Sequence, residues 1–112
     1  MQRIHAFLAP LLFSASLAVA NGPSTAATAV EVLIDDYKFQ PADLKIKAGT
    51  TVKWINKEKR TSHSVLFIGP EGFESARFFP EESYSRKFDK AGIYPYSCGP
   101  HPEMRGKIEV VE

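Results

Sequence analysis

A chain of 112 residues has room for one domain, and its 14 Lys and Arg against 13 Asp and Glu leave a net charge of +1. That balance excludes the clustered basic surface used by nucleic-acid binders. The single cysteine excludes an internal disulfide, although a core this small is the kind that exported proteins often reinforce with one.

In chain order, Arg3 precedes the apolar run "AFLAPLLFSASLAVA", which ends in the small residues Ala18, Val19 and Ala20. This is the charged region, apolar region and cleavage site of a secretory signal, and it predicts removal of residues 1–20. The run is about fifteen residues long and holds Pro10. It falls short of the roughly 20 that span a bilayer, so no stable membrane insertion is expected after export. Ala27 and Ala29 offer alternative cuts. Residues 21–29, "NGPSTAATA", are small and polar without a period and predict a flexible leader. The folded domain is expected over residues 30–112.

Within it, "VEVLID" alternates through Val30, Val32 and Ile34, and "LKIKA" through Leu44, Ile46 and Ala48, the two-residue period of strands with one face on a core. Gly49-Thr50 predicts a turn. "TVKWIN" points Val52 and Trp54 inward, and "SHSVLFIG" sets His63, Val65 and Phe67 on one face against Leu66 and Ile68 on the other. From Gly69 to Pro80 there are turn residues and no period, which predicts an irregular crossing. "SYSRKFD" alternates Tyr84, Arg86 and Phe88, leaving a cation on the inner face. The "KAG" turn, "IYPYSC", the loop Cys98 to Met104 and "GKIEVV" complete the chain. No stretch fits a helix of three turns. About seven short strands separated by Gly and Pro signals describe an all-β antiparallel sandwich or barrel.

Removing residues 1–20 also removes His5 and Met1, so the soft donors that remain are His63, Cys98, His101 and Met104. Three of these four lie within "CGPHPEM". Two imidazoles and a thiolate in a trigonal arrangement, with a weak axial thioether, suit both Cu(I) and Cu(II). A tight turn from Cys98 to His101 brings a sulfur and a ring nitrogen to one point, Met104 returns beneath, and His63 from a distant strand closes the plane. Pro100 withholds one backbone donor from the Cys98 sulfur, and Pro102 biases His101 toward an extended backbone. Both stiffen the loop and present the His101 ring edge among apolar neighbours, the natural exit for an electron.

Taken singly, the residues allow other readings. Cys98 could be an inert buried thiol or half of an intermolecular bridge, His63 a satisfied core histidine, and Met104 core filler. Zinc would accept Cys and two His but has little use for a thioether. A Cys/His nucleophile needs a substrate cleft, and c-type haem needs two cysteines before its histidine. A multinuclear copper oxidase needs histidines that this chain lacks.

The spacing in "CGPHPEMRGKIEVVE", with "VKWINKEKRTSHSV" and "FDKAGIYPYSC" upstream, resembles the cupredoxins, the type 1 blue-copper proteins, and is most similar to the amicyanins. The resemblance covers nearly all of Val30 to Glu112. It implies a Greek-key antiparallel β-sandwich with one copper held by His63, Cys98 and His101 and, axially, by Met104. It further implies a monomeric periplasmic electron carrier between a methylamine-type dehydrogenase and a c-type cytochrome. Three departures stand out: Ser64 in place of the family's usual asparagine, a slightly longer segment before His63, and Glu103 in place of an aromatic residue. A protein that delivers or buffers copper is the alternative, although no Met-rich or His-rich tract for metal exchange is present.

Overall fold

The computed structural model describes residues 29–70 and 72–112; the expected signal, 1–20, and residues 21–28 of the expected leader lie outside the described residues. Among the described residues nine strands form: β1 (Ala29–Asp35), β2 (Lys38–Gln40), β3 (Asp43–Lys47), β4 (Thr50–Asn56), β5 (Leu66–Phe67), β6 (Phe73–Glu74), β7 (Ser83–Phe88), β8 (Gly92–Ser97) and β9 (Arg105–Val111). They make two sheets, ordered β2-β1-β4-β7 and β3-β9-β8-β5-β6. The sandwich is the one expected, but its sheets are mixed. After β2 the chain crosses to lay β3 parallel to β9, then returns to lay β4 parallel to β1, while the remaining pairings are antiparallel.

The two-residue period carries through. Val32 and Ile34 of β1, Val52 and Trp54 of β4, Ile46 of β3 and Ile108 and Val110 of β9 all face one core. Trp54 is fully buried, edge-on to Tyr96 and Phe67 at centroid distances of 5.4 and 6.0 Å. Each such aliphatic or aromatic burial stabilises the fold by roughly 1.5–3 kcal/mol before entropy is counted. Ala29, the last residue of the expected leader, pairs with Thr51 as the first residue of β1.

Three details differ from the reading of the sequence. The short strand β2, which brings Phe39 into the core, follows a two-residue turn at Asp36 (φ 54°) and Tyr37 (φ 57°). Both residues are left-handed, as a type I′ hairpin requires. Second, the strand expected across "SHSVLFIG" keeps only Leu66 and Phe67. His63, Ser64 and Val65 are all buried in succession, which breaks the two-residue period, and His63 forms an isolated bridge with Phe78. Third, the crossing from Gly69 to Pro80 contains β6, hydrogen-bonded to β5.

Arg86 is also accounted for. Its guanidinium lies over the Phe67 ring at 4.3 Å, the Phe88 ring at 4.7 Å and the Tyr94 ring at 5.5 Å. Ring faces attract the cation.

β1 and β4 finish, β8 finishes and β9 starts at the same end of the sandwich, where the segment 57–65 and the loop 98–104 meet. Asn56, fully buried, organises the first of these. Its Nδ2 donates to Thr61 O (2.8 Å) and Phe78 O (3.1 Å), and its Oδ1 accepts from Glu58 N–H (2.9 Å). Its backbone pairs with Glu81 N–H and Glu82 O. Replacing Asn56 with Ala leaves Thr61 O and the Glu58 N–H without partners and takes from Phe78 O one of its two donors, the other being the His63 N–H. Chemical denaturation is expected to show a loss of about 2–4 kcal/mol.

Candidate metal centre

The loop 98–104 is bracketed by the last ladder pair of β8 and β9, Ser97 with Arg105. Three backbone bonds wind it tightly: Cys98 N–H to Met104 O (3.1 Å), His101 N–H to Cys98 O (3.2 Å) and Met104 N–H to His101 O (2.9 Å). Cys98 and Met104 are thereby turned into the core and His101 is left half-buried. Across from them, His63 is held by two bonds to Phe78 (3.1 and 2.9 Å) and is fully buried.

Three of the four residues singled out in the sequence converge. His63 Nδ1 lies 3.4 Å and His101 Nδ1 3.6 Å from Cys98 Sγ, and the three donor atoms fall within 4.8 Å of one another. A first-row ion bonded at about 2.1 Å to nitrogen and about 2.3 Å to sulfur in one trigonal plane separates such donors by about 3.7 Å. The set therefore fits a metal, and a thiolate with two imidazoles fits a soft one. Met104 lies in the adjoining core cluster, its backbone bonded to both loop ligands.

Two neighbours were not found from sequence. Glu58 Oε2 stands 3.3 Å from His63 Nε2 without closing a hydrogen bond, and it accepts the Tyr37 N–H at 2.7 Å. A carboxylate on that side favours the tautomer with the proton on Nε2 and leaves Nδ1 free to ligate. Tyr37, 47% exposed, lies edge-on to both rings, at 5.7 Å from His63 and 4.9 Å from His101.

Burial pushes the His63 imidazole below its ordinary pKa; Glu58 opposes the shift and His101 adds to it. His63 is therefore neutral at pH 7. Burial pushes the Cys98 thiol up, against the opposing hydrogen bonds from the backbone of Ser64 and of His101.

The chain matches the family "Copper binding proteins, plastocyanin/azurin family" over residues 26–111. It is a cupredoxin. Amicyanin-alpha of Methylorubrum extorquens is 41% identical, over 96% of this chain and 98% of that protein. The amicyanin of Paracoccus versutus is 40% identical over 75% of this chain and 66% of its own. The crystal structure of amicyanin from that organism superposes with a TM-score of 0.70 at 37% identity, covering 77% of this cupredoxin and 84% of its counterpart. A reduced Cu(I) form of an amicyanin variant superposes equally well, at 38% identity over 77% and 85% of the two chains. Copper is the metal of this cupredoxin, and electron transfer is its class of function.

The pKa directions carry a testable sign. With His63 neutral and the Cys98 thiol protonated, copper entering between these donors displaces about one proton, from sulfur. Apparent affinity is expected to rise about tenfold per pH unit up to the thiol's raised pKa. Calorimetric titration in buffers of different ionisation enthalpy measures the count; no proton release would show that the thiolate already exists in the metal-free protein.

Proposed function

We propose that His63, Cys98, His101 and Met104 hold a single type 1 copper and that the protein carries single electrons in the periplasm, from a methylamine-type dehydrogenase to a c-type cytochrome. The observation that carries this reading is the convergence of two Nδ1 atoms and one Sγ with unequal access to solvent: His63 and Cys98 are sealed, while His101 is partly open. Bound there, copper supplies a one-electron couple between Cu(I) and Cu(II). Cys98 and His63 exclude water and keep their positions in either oxidation state. Met104, in the core, contributes a weak thioether. His101 gives the electron its edge to leave by, and the partner would cover it together with Pro100, Pro102 and Glu103. The dehydrogenase and cytochrome rest on the likeness to amicyanins, and export rests on the character of residues 1–20.

The ligand set is checked by colour and potential together. Cys98→Ser is expected to abolish the intense blue of the oxidised protein. Met104→Gln keeps the blue and lowers the reduction potential, because an oxygen donor favours Cu(II). An unchanged potential would reduce Met104 to packing.

Glu103 is exposed and lies with Tyr37, Lys38, Phe39, Ala42, Met104 and Arg105 around one shallow cleft. A carboxylate beside the exit costs desolvation against an apolar partner and attracts a basic rim. Glu103→Phe is expected to flatten the salt dependence of electron-transfer rates with the native partner, measured by stopped flow between about 10 and 150 mM ionic strength. Over that range the Debye length shrinks from roughly 30 to 8 Å. Parallel profiles for the two proteins would remove Glu103 from docking.

A further inference from the structure

A polar cluster lies behind the cysteine loop. Ser64, buried and next to His63, makes three hydrogen bonds that join separate pieces of chain. Its N–H donates to Cys98 Sγ (3.4 Å), its Oγ donates to Glu74 Oε2 (2.8 Å), and the same Oγ accepts the Gly99 N–H (3.0 Å). A hydroxyl has one proton. Committing that proton to the Glu74 carboxylate turns the oxygen lone pairs toward Gly99, so the carboxylate fixes the polarity of the whole tie.

The fit around Gly99 is close. A Cβ there would fall inside contact with Glu74 Oε2, 2.8 Å from Ser64 Oγ and 3.0 Å from Glu74 Cδ. The carboxylate thus occupies the place where a side chain following the cysteine would stand. Glu74 is brought there by β6, through its register with Leu66 and the Ser75 N–H to Val65 O bond (2.9 Å). Position 64, where the resembling family usually has asparagine, is part of a three-residue substitute: serine, a remote carboxylate and a glycine.

We propose that Glu74 is a positioning residue of the copper centre, which orients Ser64 to clamp the cysteine loop to the His63 segment and whose negative charge beside the thiolate biases the metal toward Cu(II). The proposal rests on Cys98 being a copper ligand and deepens that assignment. The two oxidation states differ by one charge, so a fixed anion nearby stabilises the more positive one. Glu74 is exposed while its bond to Ser64 is partly buried, so salt screens the charge in part. Burial is the main cause that pushes the Cys98 thiol up; the Glu74 charge adds to it, and the Arg77 charge opposes it more strongly.

The experiment separates charge from hydrogen bonding. Glu74→Gln keeps an oxygen to accept from Ser64 and removes the charge. At a redox poise where the wild type is half reduced, its Cu(I) to Cu(II) ratio is expected to rise several-fold, the difference narrowing with salt. Its Gly99 amide should exchange with solvent no faster than in the wild type. Glu74→Ala should show the same rise in the ratio and, in the Cu(I)-loaded and the metal-free protein alike, faster Gly99 exchange. Gly99→Ala, which displaces the carboxylate, should also raise the ratio, and should raise it no further in the Glu74→Ala background. Superimposable potentials for wild type and Glu74→Gln at low salt would overturn the electrostatic role. Unchanged Gly99 exchange in Glu74→Ala would overturn the clamp. If Cys98 were not a ligand, the wild type itself would lack the blue colour, whereas Gly99 exchange in the metal-free protein would still test the clamp.

Discussion

The position of His63 depends on one buried amide. The segment from Lys57 to Val65 has almost no ladder of its own, because its only bridge is that of His63 with Phe78. Asn56 substitutes for the missing ladder by holding Thr61 O and Phe78 O on one side of its head group and Glu58 N–H on the other. It thereby fixes the two ends of the loop that carries His63 and the strand partner against which the histidine is laid. Without it the loop 98–104 would still fold, since β8 and β9 bracket it, but it would face an unplaced imidazole.

The cost of assembling the centre explains why so much of this end is polar and buried. An imidazole and a thiol lose hydration in the core, and both shift toward their neutral forms. The surroundings compensate selectively. Glu58 faces the far nitrogen of His63, the Ser64 N–H faces the sulfur, and none of these contacts occupies the Nδ1 atoms. The donors thus remain available to metal while their other sides are engaged, which keeps them in place before copper arrives.

Much of this was legible in the sequence. Alternating Val, Ile and Trp exposed β1, β3, β4 and β9, because one-sided burial leaves its period in the residues. The pairing of Cys98 with His101 was legible because the loop is local, and His63 followed as the remaining imidazole. Parallel pairing of β1 with β4 was hidden, since period two says nothing of strand direction. The hairpin into β2 was hidden because Asp36 and Tyr37 adopt left-handed conformations without the glycine that usually signals such a turn. The carboxylate of Glu58, which accepts the Tyr37 N–H, supports that turn and lies far from it in sequence. Glu58 and Glu74 act across the fold, and no spacing rule connects them to a metal ligand.

The parallel registers have a consequence for handling the molecule. β1 starts beside Thr51 and β9 finishes beside Lys47, both at the pole opposite the loop 98–104. A strand of seven residues places the two poles roughly 23 Å apart. Tethered to an electrode through its carboxyl end, the protein would therefore present His101 to the solution and hold copper at arm's length from the conductor. Adsorbed by the other pole, it would bring His101 against the metal surface. Orientation alone would separate a slow interfacial current from a fast one.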